Sequence, residues 1–318
     1  MLENLLEPNY PRAALGIERE NLTALALQRE KGQRFGIKQA ATVELPEHLL
    51  TPNFIGQNIN SPAEMVALLE EVVTNAGLRN QKRWSVSLPS TAARAAILTL
   101  ESEPASRDEL AQILDWKAEN TFGIPAGEMR ITRRKIASDA ATGRARYFAT
   151  AVKLSVIDEY ETVFERLDWQ AGLVLPRAVS EARWLYDKDK RAAGDSLLIS
   201  SQNDGFVALV MRGGEPTVVR SVTCTESERD DEIYRLLMFY RDRLGGGATT
   251  AAVENSLEKL LVVGKELNHE HLRDITNEAL GAPLDILQAA DVGLNIPNDA
   301  LNFDEVAAPA GLAALGWK

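Results

Sequence analysis

Near the start of the chain, apolar and polar residues alternate over three short runs and then follow a helical period, and the same order returns in the second half. In the first copy, residues 13–77, strands are predicted at 14–18, 22–28 and 39–44; in the second, residues 196–245, at 197–200, 206–210 and 217–222. The helix closing the first copy opens at Ser61-Pro62-Ala63-Glu64, where a serine cap, a proline at the first helical position and a glutamate three residues after the cap coincide. Met65, Leu68, Leu69, Val72 and Val73 form its buried stripe, and Gly77 ends it. The matching helix of the second copy is predicted at 227–244, with Ile233, Leu236, Leu237 and Tyr240 inward, before the stop Gly245-Gly246-Gly247. A duplicated strand-strand-strand-helix unit predicts an α/β protein of two lobes.

Between the copies the pattern changes. A strand at 84–88 stops at Pro89, and a second strand follows at 93–100. A helix then starts at Ser106, with Glu109 completing a capping box, and ends at Gly123. Strands at 129–137 and 146–154 and a helix at 157–167 complete a small α+β module, residues 92–168, inserted into the first lobe. A strand resumes at 173–175, Pro176 starts another helix, and residues 187–194 read as a polar connector. In the second lobe a buried strand at 260–263 precedes a helix capped by Asn268 and ended by Gly281; a strand is predicted at 283–286 and a closing helix at 303–317, with Pro309 as a kink or late start. The expected organisation is a first lobe in two parts (1–91 and 169–190) around the insert (92–168), a second lobe (191–296), and a C-terminal segment (297–318) returning to the first lobe.

A length of 318 residues exceeds what one core usually supports, in keeping with two lobes. A net charge of −11 argues against sequence-independent nucleic-acid binding, which needs a basic surface. One local exception is a basic hairpin, Arg130, Arg133, Arg134, Lys135, Arg144 and Arg146 around a turn at 140–143. It reads either as a solvated sheet face or as a surface for acidic lipid headgroups or an acidic partner. Cys224 is the single cysteine, so no internal disulfide is expected and a cytosolic location follows most simply. Residues 1–12 have no apolar core and carry Glu3 and Glu7, so neither a signal peptide nor a membrane anchor is expected there. No run reaches the ~20 apolar residues that span a bilayer, so membrane association is expected only through a partner or a surface patch.

One cysteine and three histidines provide no standard metal cluster, and no Gly-x-Ser-x-Gly elbow supports a hydrolase. Gly264-Lys265 follows a strand, yet Glu266 and Lys259 stand where a phosphate loop needs a hydroxyl and a glycine. A duplicated unit of this kind is the skeleton of actin-like proteins, whose hairpin turns of the Asp-x-Gly-Ser/Thr kind grip nucleotide phosphate. The first turn here is Ile17-Glu18-Arg19-Glu20-Asn21; the second runs Ile199-Ser200-Ser201-Gln202-Asn203-Asp204. Glu18 can stand for the aspartate, but Arg19 and Glu20 occupy places where small residues let phosphate approach, and the second turn has no acid at its strand end. Two readings stay open: ordinary hairpin turns of a nucleotide-free scaffold, or weak ATP binding that uses Arg19 as a cation and Asn21, Ser200 and Ser201 as hydrogen-bond donors. Gly264 joins these as a candidate at the second lobe's strand end.

The residues Ala14-Leu15-Gly16-Ile17, Val86-Ser87-Leu88-Pro89-Ser90, the helix at 110–121, Leu260-Leu261-Val262-Val263-Gly264 and Gly311-Leu312-Ala313 resemble the PilM family of type IV pilus assembly proteins. The similarity runs over nearly the whole chain, and the order of elements carries it more than any one motif. It implies an actin-like (duplicated ribonuclease H-like) fold shared with FtsA, a cytoplasmic location peripheral to a bacterial inner membrane, and binding of the short cytoplasmic tail of an inner-membrane partner, PilN. That tail is expected in a groove between the first lobe and the insert, for which Leu88, Pro89, Ser90, Ile97, Leu110 and Leu114 are the candidates. Many members bind ATP; here both turns, and Lys265-Glu266-Leu267 after Gly264, depart from the nucleotide pattern, so no cofactor is expected and ATP with magnesium is disfavoured. The N-terminal Asn4-Leu5-Leu6-Glu7-Pro8 resembles the Asn-Leu-Leu-Pro core of the partner's tail, which raises homo-oligomerisation as an expectation. The competing readings are an ATP-binding actin-like switch or ATPase, and a cytoplasmic GspL-like component of type II secretion.

Overall fold

The computed structural model describes residues 9–139, 141–186, 194–244, 256–297 and 301–317. The motif at Asn4, Ala140 of the basic hairpin's turn, the connector at 187–193 and the glycine stop at Gly245 lie outside them. In chain order the strands are β1 (Ala13–Ile17), β2 (Asn21–Arg29), β3 (Phe35–Glu44), β4 (Arg83–Leu88), β5 (Ala93–Thr99), β6 (Met129–Ile136), β7 (Arg146–Lys153), β8 (Gln170–Pro176), β9 (Asp195–Gln202), β10 (Gly205–Arg212), β11 (Glu215–Thr223), β12 (Leu257–Val263), β13 (Ile286–Leu287) and β14 (Leu294–Asn295). The α-helices are α1 (Pro62–Asn75), α2 (Arg107–Phe122), α3 (Leu154–Arg166), α4 (Arg177–Glu181), α5 (Arg229–Arg243), α6 (His269–Leu280) and α7 (Phe303–Leu315).

The two large sheets repeat one topology. The first has the order β14-β3-β2-β1-β4-β8 and the second β11-β10-β9-β12-β13. In each, three consecutive strands pair antiparallel, and the first of them pairs parallel with a strand that returns after a helix. A further parallel strand, β8 or β13, follows a second helix. The predicted duplication is therefore present strand for strand. β14, which pairs parallel with β3 through Leu294↔Phe35, has no counterpart in the prediction.

This correspondence also fixes where the inserted module ends. α3 stands between β4 and β8 as α6 stands between β12 and β13, so it belongs to the repeat. Its buried face, Val156, Ile157, Tyr160, Val163 and Phe164, packs in the same cluster as Leu15, Met65, Leu69 and Trp84. The module is thus β5, α2, β6 and β7, with its own sheet in the order β5-β7-β6, and it stops before α3 rather than at residue 168. By compactness the chain divides into one unit of Met1–Ala93, Val152–Ser180 and Gly293–Lys318, and another of Arg94–Ala151 and Glu181–Val292. The module groups with the second sheet, where the Arg146 guanidinium donates to the Thr217 carbonyl and the Ala137 amide donates to Glu215 at 2.7 Å.

In the first unit, β1 is buried along its whole length because both faces of its sheet are covered. Ala13, Leu15 and Ile17 face the cluster beneath α1 and α3. The alternate residues face α7, which lies on β1, β2 and β4. Gly16 lets the two approach closely, since a Cβ would sit 3.1 Å from the Pro309 ring, tighter than ordinary contact. Pro309 does not delay α7: the helix starts at Phe303 and runs through the proline, buried from Val306 to Ala314. Two further expectations shift. Ser61 occupies the cap position of α1 but its side chain makes no capping hydrogen bond, so Pro62 and Glu64 are the devices left at that end. The strand predicted at 283–286 reduces to the two residues of β13. The second unit holds its own cluster, with Phe206, Ile233, Leu236, Leu260, Val262 and Leu272 at its centre.

Candidate functional site

In open sheets with parallel strands, ligands bind outside the carboxyl ends of those strands. In the first unit, the β1–β2 turn closes with the Glu18 amide donating to the Asn21 carbonyl at 2.9 Å, and the Glu20 carbonyl accepts from the Leu45 amide at 2.7 Å. The Glu18 carboxylate does not point away as a free ligand. It accepts from Arg177 at 3.1 Å, and both side chains are largely buried, 16% and 10% exposed. Arg177 is the first residue after β8 and was not among the sequence candidates. The signal that could have found it is a cation directly following Pro176, at a parallel strand's carboxyl end. Arg19 and Glu20 are exposed at the tip. Ser90 ties two strand ends together, its hydroxyl accepting from the Ala178 amide at 3.3 Å.

The second unit closes its turn differently. β9 and β10 pair up to Gln202↔Gly205, which leaves Asn203 and Asp204 as the loop. Arg229, 2% exposed, donates to the carbonyls of Gln202 and Asn203 at 3.0 and 3.3 Å and holds that loop. Ser200 and Ser201 have no exposed surface. Gly264, which follows β12, has φ +136° and presses its backbone on Ser201; a Cβ there would lie 2.6 Å from that of the serine. Ser200 pairs with Val263, so Ser200, Ser201 and Gly264 lie at neighbouring strand ends. Gly264's freedom serves close packing between strand ends.

Six buried polar atoms at these turns have no hydrogen-bond partner among the described residues: Asn21 Oδ1, Ser87 Oγ, Ser200 Oγ, Ser201 Oγ, and Nε and Nη1 of Arg229. A magnesium triphosphate needs an uncommitted carboxylate for the metal or its waters and open backbone amides or hydroxyls for the phosphates. The carboxylate here is committed to Arg177, and the hydroxyls are buried. The residues of neither turn fit the group. An open depression of about 480 Å³ at the other end of β8 is lined by Glu161, Glu165, Asp168 and Trp169, and its three carboxylates oppose any anion.

The six expected groove residues divide by exposure. Leu88, Pro89, Ser90 and Leu114 are buried, with Leu88 in the first unit's main cluster; Leu88 and Leu114 thus serve as core. Ile97 on β5 and Leu110 on α2 keep part of their surface. Those two can still touch a ligand. Among the described residues there is no group of side chains suited to a metal ion, and no helix is long and apolar enough to cross a membrane.

No family model and no curated protein matches the sequence. Solved structures do. A chain of the PilM–PilN type IV pilus biogenesis complex superposes with a TM-score of 0.71 at 15% identity, covering 97% of this chain and 98% of that one. A protein of actin-like ATPase fold and unknown function from Bacteroides thetaiotaomicron VPI-5482 gives 0.50 at 13% identity, over 96% and 98%. The fold is actin-like. The cytoplasmic domain of EpsL, an inner-membrane component of the Vibrio cholerae type II secretion system, gives 0.46 at 11% identity, over 96% and 93%. The β1–β2 and β9–β10 turns hold equivalent places in the two copies of the repeat, and the ion pair Glu18–Arg177 stands at the first of them.

Proposed function

We propose that this protein is a scaffold of type IV pilus assembly, an adaptor on the cytoplasmic side of the inner membrane that binds the cytoplasmic tail of a PilN-like membrane partner and works without nucleotide. The observation that carries the reading is the contrast between a complete duplicated frame and two hairpin turns whose side chains are committed or buried. Glu18 is paired with an arginine of its own unit, Ser200 and Ser201 are buried, and Ser201 packs against Gly264. A fold likeness to a chain of a complex with PilN supports the choice of partner.

Calorimetric titration with a synthetic peptide of the partner's cytoplasmic tail tests the proposal. Saturable binding is expected. The double variant Ile97→Glu and Leu110→Glu should weaken it at least about tenfold, because charge on a partly exposed apolar floor opposes an apolar peptide. Its melting temperature should stay near that of the parent. No heat at roughly millimolar peptide would remove the scaffold reading. Titration with a fluorescent ATP analogue and magnesium is expected to give no saturable signal; a saturable signal abolished by Ser200→Ala would replace the scaffold with a nucleotide-gated switch.

A further inference from the structure

The sheet of the inserted module ends in β6, and among the described residues no strand lies on its outer side. The structure sorts the six cations of the basic hairpin. Arg133 pairs with Asp115 of α2, Arg144 pairs with Glu101 at 2.7 Å, and Arg146 is buried with its guanidinium on the Thr217 carbonyl. Those three are part of the module's own structure. Arg134 and Lys135 are exposed along β6 together with Thr132, and Arg130, exposed as well, also has a partner within the molecule. Met129 and Ile136 anchor the two ends of the strand in the interior.

We propose that the outer edge of β6 is a docking edge for an acidic, extended segment of a partner protein, which adds to the module's sheet as a fourth strand. An edge strand presents a row of backbone donors and acceptors that another extended backbone can meet in register along its length. Side chains alternate along a strand, so Arg130 and Arg134 stand on one face of the sheet and Lys135 on the other. A flat lipid surface would meet one of those rows; a peptide lying alongside meets both. A second copy of the chain is disfavoured, because two β6 edges would bring like charges opposite each other. The molecule already contains a small instance of the contact: just past the end of β6, the Ala137 amide donates to the carboxylate of Glu215. That contact also sets the limit of the open stretch, which runs from Met129 to about Lys135. Each exposed ion pair adds little by itself, so main-chain hydrogen bonds must supply most of the affinity and the cations the choice of partner.

The test uses the full chain and a short synthetic peptide alternating glutamate and valine. Its controls are the same peptide with lysine for glutamate, a version N-methylated on alternate residues, and vesicles of phosphatidylserine in phosphatidylcholine. The glutamate peptide is expected to bind at low salt and to slow hydrogen exchange of the β6 amides. N-methylation, and separately the double variant Arg134→Glu and Lys135→Glu, should each weaken binding at least about tenfold. If the charge-reversed variant fails to fold, Arg134→Gln with Lys135→Gln serves, with the same direction expected. Unchanged exchange at β6, or equal affinity for the N-methylated peptide, overturns the proposal. Vesicle binding that depends on Arg134 and Lys135 without peptide binding would assign the stripe to lipid and overturn it too.

Discussion

Asp195→Ala is expected to lower stability by about 3–5 kcal/mol, the cost of leaving one member of a buried ion pair without its partner. Asp195 opens β9 and is 1% exposed. Arg212 stands opposite it on β10 and grips both carboxylate oxygens, Nε to Oδ1 at 2.8 Å and a terminal nitrogen to Oδ2 at 2.6 Å. The hydroxyl of Tyr240 on α5 donates to Oδ2 at 2.9 Å, and Arg212 also donates to the Leu244 carbonyl at 3.2 Å. One carboxylate therefore fastens two strands and a helix. Burial, and then the bond to Asp195, push the Tyr240 hydroxyl well above the usual phenol range, so it stays a neutral donor. Because a third of the Arg212 side chain reaches solvent, water can meet part of the orphaned guanidinium, which places the loss near the lower end of that range. Urea unfolding of the parent and the variant measures it. A difference below about 1 kcal/mol, the size of a surface pair, would mean that the network does not hold the second unit together.

Trp84→Ala is expected to cost a similar amount, about 3–5 kcal/mol, for a different reason: it empties a large hole in a close-packed core. Trp84 lies on β4, is fully buried, and tilts against Trp169 with ring centroids 5.4 Å apart. Trp169 in turn meets Phe164 of α3 at 6.3 Å. The indole nitrogen of Trp84 has no partner among the described residues. Trp84→Phe therefore removes an unsatisfied donor together with some volume, and its cost should stay below about 1.5 kcal/mol. Thermal or chemical unfolding of the two variants separates packing from hydrogen bonding. Equal losses for alanine and phenylalanine would show that the nitrogen, and not the ring's bulk, is what the site requires.

Much of the architecture was legible because alternation over three strands and a following helix is a local signal, and it occurs twice. Positions where tertiary packing decides were not. Val156, Ile157, Tyr160, Val163 and Phe164 announce an amphipathic helix, but nothing in their spacing says which sheet it will cover, so α3 was assigned to the insert. Pro309 was expected to disturb α7, yet the helix is so deeply enclosed that packing outweighs the lost hydrogen bond. β14 has two residues and no periodicity to detect. At the candidate site the turn residues could be read directly, since hairpins are contiguous in sequence. Arg177 could not, because its partner Glu18 is brought to it only by the parallel pairing of β1, β4 and β8. Leu88 and Ile97 looked alike as apolar candidates; burial alone separates them.

The cover of the first sheet by α7 has a consequence during synthesis. β1 and β2 leave the ribosome early, whereas the helix that shields one of their two faces is encoded near the opposite end of the chain. At roughly 5–20 residues per second, Ala14, Leu25 and Leu27 wait on the order of tens of seconds before Val306 and Leu312 arrive. Over that interval one apolar face of the first sheet stays exposed to solvent, the kind of surface that makes a partly folded chain prone to aggregate.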